Sequence, residues 1–139
     1  DMAVAAEGTR FGVNGVNIGL FCSTPMVALT RNIAAKHAFE MLVTGRFADA
    51  EEAQRMGLVN RVVPAETLEA ATLELAETVA GKLGPAVKIG KEAFYAQARL
   101  GTAEAYAYAG EVMVENMLWR DTNEGISAFL EKRSPDWSQ

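Results

Sequence analysis

The sequence predicts an α/β fold in which short strands come first and helices follow. Residues 1–24 form short extended pieces interrupted by Gly8, Gly12, Gly15 and Gly19, which is a turn-rich strand pattern. From about Pro25 onward, capping residues and apolar residues at helical spacing predict helices. One β-branched stretch within this part, residues 58–63, alternates in polarity and predicts a strand.

Helix ends in the first half are predicted from single residues. Two consecutive helices are expected over residues 25–32 and 34–43. Gly45 follows the second, where a left-handed glycine commonly ends a helix. Asp49 and Glu52 have capping-box spacing, so a short helix is expected to begin there and to stop at Gly57.

The second half is predicted to be helical throughout. The first of its helices has an apolar stripe made of Leu68, Thr72, Leu75, Val79 and Leu83. Pro85 opens the next helix, Thr102 is expected to cap a long one, and Thr122 to cap the last. We therefore divide the chain into a strand-containing region, 1–64, and a helical region, 65–139. The helical region has more apolar stripes than the strands can cover, so some are expected to pack on another chain.

Composition excludes several classes of partner. The net charge of −5 argues against nucleic acid, because the phosphate backbone requires a basic surface. A single cysteine forms no internal disulfide, as is usual in a reducing compartment. No apolar run approaches the roughly 20 residues that span a bilayer, and no basic leader opens the chain. Met2 stands second, so the sequence is not expected to be an intact translated start.

Cys22 and His37 are weak candidates for a nucleophile and its base. They lie 15 residues apart without an obvious third member, so a small buried thiol and a helix-surface imidazole are favoured. With no second His and no CxxC motif, no metal site is expected.

The stretch FGVNGVNIGLFCSTP, residues 11–25, is rich in polar residues and glycines but contains no acid. Its glycine spacing matches neither a phosphate-binding loop nor a dinucleotide fingerprint. Bulges and tight turns explain two of the glycines, but not why Asn14, Asn17, Ser23 and Thr24 lie together. We therefore expect a site here.

Phe129 and Lys132 on the last helix allow two interpretations. Basic residues in a final helical turn favour the negative end of the helix dipole, which is the structural explanation. The functional alternative is a phosphate contact from Lys132, with the Phe129 ring beside a base. Residues alone favour the first.

Several segments together resemble the enoyl-CoA hydratase/isomerase, or crotonase, superfamily. The most specific are LVTGRFADAEEA (42–53), GLVNRVVP (57–64) and EGISAFLEKR (124–133), and the opening DMAVA is similar to one of its core strands. The resemblance covers essentially the whole chain and is to the C-terminal half of the family. Residues 15–25 are most similar to one subgroup within it.

This resemblance implies the last turns of a crotonase-like ββα spiral, followed by a helical C-terminal oligomerisation region. It implies an acyl-CoA thioester as ligand, with coenzyme A as part of the substrate and no other cofactor. It also implies a homotrimer or hexamer, and the missing N-terminal half of the same protein as a partner. A cytoplasmic location is expected, or the mitochondrial matrix in a eukaryote. In the family, two upstream backbone N–H groups hold the thioester oxygen, and the first catalytic glutamate is also upstream.

By the same resemblance, the second hydratase glutamate falls where this chain has Gly15. The missing side chain is expected to leave space for water or a bulkier substrate. Asn14 and Ser23 are predicted to orient water, although neither is an effective base at neutral pH. Phe21, Thr24, Phe129 and Lys132 are predicted to contact substrate.

Three hypotheses follow for function. The first is an acyl-CoA-binding member of the superfamily with altered or weak hydratase chemistry. The second is a working enoyl-CoA hydratase of fatty-acid metabolism. The third is a non-catalytic protein that binds CoA esters.

Overall fold

The computed structural model describes residues 1–137, so the last two residues of the predicted helical region lie outside the described residues. The described residues divide into two compact units, the first ending at Glu74 and the second beginning at Leu75. In order, the elements of the first unit are β1 Val4–Ala6, β2 Arg10–Gly12, a 3-10 segment Asn14–Ile18, α1 Ser23–Leu29, α2 Ala35–Thr44, β3 Phe47–Asp49, α3 Ala50–Met56, β4 Arg61–Val63 and a second 3-10 segment Ala65–Thr67. Helix α4, Leu68–Ala80, runs across the boundary, and the second unit contains α5 Gly84–Gln97, α6 Thr102–Met117 and α7 Arg120–Glu131. The mixed, helix-rich α/β fold is confirmed, although β3 and β4 follow the first helices.

The strands of the first unit form two small sheets. Strand β1 pairs parallel with β4, with Ala5 opposite Val62. Strand β2 pairs antiparallel with β3, with Phe11 opposite Ala48. Sequence patterns did not indicate β3, which is three residues long and begins two residues after the left-handed Gly45.

Apolar side chains of these elements form the core of the first unit. Helices α1 and α2 contribute Leu29, Met41 and Leu42, and the partly buried Phe11 packs against this cluster. A neighbouring cluster joins Ala5, Ala53 and Val59, also against Phe11. Strand β2 therefore connects the two clusters through one aromatic ring.

Most predicted helix ends are confirmed. Asp49 Oδ1 accepts the Glu52 backbone N–H at 2.7 Å and caps α3. Gly45 and Gly57 end α2 and α3 with φ of +62° and +85°. Each of these features depends on residues within one helical turn.

Several predicted boundaries are wrong, among them the start of α6, whose N-cap is Gly101 and not Thr102. Only residues 61–63 of the expected 58–63 strand are extended, because the Leu58 N–H donates to the Ala53 carbonyl and completes the end of α3. Helix α1 begins at Ser23 rather than at Pro25, and it ends at Leu29 rather than at residue 32. Helix α7 begins at Arg120, because the Thr122 hydroxyl donates to the Asn116 carbonyl of α6 instead of capping α7.

The second unit buries few apolar side chains. Leu83 and Ala128 are its buried members among the described residues. Large apolar residues are exposed on three of its helices and at the end of α6, including Phe94, Tyr106, Leu118, Phe129 and Leu130. None of the described helices is both long enough and apolar enough to cross a membrane.

Candidate functional site

The predicted site lies in the loop that connects β2 to α1, called here the Gly15 loop and comprising residues 13–22. Its 3-10 segment ends at Gly19, whose φ of +79° reverses the chain. The Leu20 N–H then donates to the Gly15 carbonyl at 2.9 Å, which closes the loop on itself. The positive φ values of Gly8 and Gly19 account for two of the four glycines in the first 24 residues.

Gly15 is enclosed by its own loop. Its N–H donates to the Cys22 Sγ at 3.3 Å. A Cβ added at position 15 would lie 2.5 Å from the Leu20 carbonyl oxygen and 2.8 Å from Cys22 Sγ. Position 15 is not among the residues with positive φ, so lack of space, and not backbone conformation, requires glycine there. The expected free space beside Gly15 is therefore absent along the Cα–Cβ direction.

The other predicted residues of this loop are exposed. Asn14 begins the 3-10 segment, and Ser23 begins α1, where its hydroxyl donates to the Phe21 carbonyl at 3.4 Å. The Phe21 side chain is 41% exposed, and Thr24 is exposed in the first turn of α1. Asn14 and Phe21 thus lie in the loop and Ser23 and Thr24 in the first turn of α1, and their predicted contacts with water or substrate stay predictions.

Asn17 has a structural contact that the sequence did not predict. Its Nδ2 donates to the Gly45 carbonyl at 3.2 Å, at the end of α2. An Asn side chain that orients water and one that fastens a loop have the same sequence pattern. The partner lies 28 residues away, so only the fold identifies it.

Arg46, directly after Gly45, forms ion pairs with one residue of α2 and one residue of α3. Its guanidinium donates to both Glu52 oxygens at 2.8 and 2.7 Å and to Glu40 at 2.9 Å. The hydrogen bond from Arg46 lowers the pKa of Glu52 below its ordinary value. Arg46 and Glu52 belong to the quoted 42–53 motif, but neither charge nor spacing alone indicated their ion pair.

Cys22 and His37 take the structural roles that the sequence favoured. Cys22 is half-buried, and its Sγ accepts the Gly15 N–H. His37 lies on α2 and is exposed. Within residues 1–137 there is no group of three or more His, Cys, Asp or Glu side chains placed to hold a metal ion.

Phe129 and Lys132 form a separate candidate surface at the end of α7. The Phe129 side chain is 81% exposed. Lys132 has a φ of +55°, a conformation in which glycine is usual after a helix. Its N–H donates to the Phe129 carbonyl, and the next N–H, of Arg133, donates to the Ala128 carbonyl, so the helix end is closed by backbone bonds. A non-glycine residue in this conformation is an uncommon and mildly strained feature.

Arg133 stabilises the same helix end through ion pairs. Its guanidinium donates to both Glu124 oxygens, at 2.6 and 3.0 Å, and to Glu131 at 2.6 Å. Glu124 also accepts the Asp136 N–H at 2.8 Å. The bond from Arg133, followed by that from Asp136, lowers the pKa of Glu124 to about 2. Lys132 and Arg133 therefore differ, because the Arg133 guanidinium is used in ion pairs with Glu124 and Glu131 of the same helix.

Replacement of Glu124 by Gln is expected to lower the melting temperature by an amount that depends on pH. The folded-state pKa, about 2, lies below the unfolded value of about 4.3, so the carboxylate stabilises the fold above pH ~4.3 and loses this effect as pH falls toward 2. In the whole protein, melting of Glu124→Gln and wild type should differ most at pH 7 and converge below pH ~4. Glu111→Gln on the exposed side of α6 is the charge-matched control, and an equal pH response in both variants would contradict this assignment.

Comparison with known proteins was consistent across sequence and structure. The family model described as enoyl-CoA hydratase/isomerase matches residues 1–139. Enoyl-CoA hydratase domain-containing protein 3, mitochondrial, of Mus musculus is 46% identical over 138 residues, which are 99% of this chain and 46% of that protein. This confirms the subgroup resemblance inferred from residues 15–25.

Two crystal structures are similar over nearly the whole chain. That of an enoyl-CoA hydratase from Mycobacterium smegmatis has a TM-score of 0.94 at 49% identity and covers 100% of this chain and 54% of that one. That of human enoyl-CoA hydratase domain-containing protein 3 has a TM-score of 0.91 at 45% identity and covers 99% and 54%. The chain spans about half the length of the proteins that it matches.

Proposed function

Since this chain belongs to the enoyl-CoA hydratase/isomerase family, we propose that the whole protein binds an acyl-CoA thioester but has altered or weak hydratase chemistry. The family match supports the ligand class. The observation that carries the altered chemistry is at Gly15, which by resemblance occupies the position of the second hydratase glutamate. There the direction of a side chain is filled by the Leu20 carbonyl and Cys22 Sγ.

The loss of this carboxylate has a chemical consequence. Hydration of an enoyl double bond requires a water held against the β-carbon and a proton delivered to its neighbour. Positioned acid–base groups typically contribute roughly 10²–10⁴-fold to such steps. Asn14 in the loop and Ser23 at the start of α1 are exposed and could orient water, but neither amide nor hydroxyl replaces a carboxylate as a base. Chemistry that needs only an oxyanion hole and one upstream acid, such as isomerisation or thioester hydrolysis, stays possible.

A working enoyl-CoA hydratase is the second candidate. It is favoured by the 49% identity to the protein from Mycobacterium smegmatis that is named an enoyl-CoA hydratase. A non-catalytic protein that binds CoA esters is the third, and it fits the same enclosed Gly15. The three candidate functions differ in the reaction that is catalysed. The first and the third both include binding of a CoA ester, so binding alone does not separate them.

Calorimetric titration and turnover of the whole protein separate these candidates. Butyryl-CoA is expected to bind, and free coenzyme A is the reference ligand. Turnover should be assayed with crotonyl-CoA, an isomerisable 3-enoyl-CoA and a saturated acyl-CoA. Binding with slow hydration but measurable isomerisation or thioester hydrolysis supports the proposal. Fast hydration supports the second candidate, and binding with no turnover the third. No binding of any CoA ester would refute all three.

Removal of the Lys132 side chain is expected to weaken CoA-ester binding by about tenfold. A charge-assisted phosphate contact is worth about 1.5 kcal/mol at the low end of its range. Lys132→Gly is the sharper variant, because glycine accepts the positive φ and so removes the side chain without adding strain. Titration with butyryl-CoA at low salt should show the loss, and the difference should shrink at high salt.

Lys82 provides a matched control for this measurement. It is an exposed lysine two residues after the end of α4, so Lys82→Gly removes the same charge near another helix end. Equal affinity of Lys132→Gly and wild type at low salt would leave Lys132 with the helix-dipole role alone.

The exposed helices of the second unit support an oligomer. Among the described residues this unit buries only Leu83 and Ala128, while Leu118 and Phe129 are about 80% exposed. We propose a homotrimer or hexamer, in which another copy or the N-terminal half of the same protein covers this surface. The word mitochondrial in the name of the mouse relative supports the matrix location for a eukaryotic source.

A further inference from the structure

The Gly15 loop is held by two side chains, and each of them lies against a glycine. Cys22 Sγ accepts the Gly15 N–H, and Asn17 Nδ2 donates to the Gly45 carbonyl. The first bond is internal to the loop. The second joins the loop to the end of α2.

The contact between Asn17 and Gly45 is close. Gly45 is buried, has a φ of +62°, and a Cβ added there would lie 2.5 Å from Asn17 Oδ1. Glycine is therefore required at position 45 for both conformation and space. The Asn17 amide lies directly against this backbone, with its oxygen and nitrogen both near Gly45.

The residues on the helix side of this contact make further hydrogen bonds and ion pairs. The Gly45 N–H donates to the Met41 carbonyl and ends α2. The next residue, Arg46, is fixed by its bonds to Glu40 and Glu52. The bond from Asn17 to Gly45 therefore links the loop to the residues that connect α2 and α3.

We infer that Asn17 is a positioning residue that holds the Gly15 loop closed against the end of α2, and that this closure sets the affinity of the site for acyl-CoA. The ligand half of this inference rests on the proposed function. The conformational half does not, because it concerns only the opening of the loop. Local opening of this kind exposes groups that the closed loop protects, here Cys22 Sγ.

Replacement of Asn17 should open the loop in a graded way. Asn17→Ala removes the amide donor. Asn17→Asp also places a carboxylate beside the Gly45 carbonyl, at the negative end of the α2 dipole, where a negative charge is unfavourable. Loss of one neutral hydrogen bond corresponds to about a 2- to 10-fold change in the open population, and Asn17→Asp should exceed Asn17→Ala.

Asn32→Asp is the matched control. Asn32 Nδ2 donates to the Ala28 carbonyl at 2.8 Å near the end of α1, so the variant makes the same substitution at another amide–carbonyl contact outside the loop. Melting curves of all three variants establish that each is folded at the temperature of the assay.

The experiment measures the rate at which a chromogenic aromatic disulfide modifies Cys22 in the whole protein, with every other cysteine replaced. Butyryl-CoA affinity is measured in parallel. We expect the modification rate of Cys22 to rise in the order wild type, Asn17→Ala, Asn17→Asp. The affinity for butyryl-CoA should fall in the same order. The Asn32→Asp variant should match wild type in both measurements. Unchanged rates in both Asn17 variants, or an equal rise in Asn32→Asp, overturn the inference.

The two halves fail separately. Faster modification with unchanged butyryl-CoA affinity shows that Asn17 closes the loop but does not set affinity, which refutes the ligand half. If wild type binds no CoA ester, the proposed function fails, and the Cys22 rates still decide the conformational half.

Discussion

The whole protein is expected to hydrate crotonyl-CoA at least about 100-fold more slowly than a hydratase that has both glutamates. This factor is the low end of what positioned acid–base groups contribute. Gly15 provides no carboxylate, and the sequence contains no Asp or Glu from Gly8 to Phe39. Steady-state hydration should be measured on the protein and on a two-glutamate hydratase under identical conditions.

Hydratase-like turnover would contradict this expectation and would require another acid–base group. Asn14 and Ser23 would then be examined first as water-positioning groups, with an upstream acid as the base. Asn14→Ala and Ser23→Ala would separate them, because both side chains are exposed and their removal leaves the core intact. A loss of turnover with unchanged substrate affinity in either variant would identify the positioning group.

Gly15→Ala and Gly15→Glu are expected to destabilise the protein rather than to restore a catalytic acid. The added Cβ would lie 2.5 Å from the Leu20 carbonyl oxygen and 2.8 Å from Cys22 Sγ. Overpacking of this kind costs typically about 1–3 kcal/mol, and the backbone carbonyl cannot move without opening the loop. Thermal melting should show a lower midpoint for both variants, and Gly15→Glu should gain no hydration activity.

Gly90 supplies the control for this experiment. It lies in α5 without positive φ, and a Cβ there meets nothing within 4 Å. Gly90→Ala should therefore be neutral or stabilising by about 0.5–1 kcal/mol, since alanine is the better helix former. The assignment is refuted if Gly15→Glu melts like wild type, and refuted more strongly if that variant also hydrates crotonyl-CoA.

Local signals predicted those parts of the fold that depend on neighbouring residues. Asp49 caps α3, and Gly45 and Gly57 end their helices, because a cap is formed within about one turn of the chain. Thr122 shows where such reasoning stops. The Thr122 hydroxyl could cap α7 or bond to the end of α6. It donates to the Asn116 carbonyl of α6 because the two helices meet there.

The sequence by itself determined the fold class, the family and the absence of an acid at position 15. Those conclusions rest on residue types and on motifs that are continuous along the chain. Only the tertiary structure decided that position 15 has no room for a side chain and that the Asn17 amide donates to the Gly45 carbonyl. The physical reason is that the atoms involved come together through chain reversal. The Leu20 carbonyl and Cys22 Sγ return onto Gly15 after the turn at Gly19, and Gly45 reaches Asn17 only when α2 packs beside the loop.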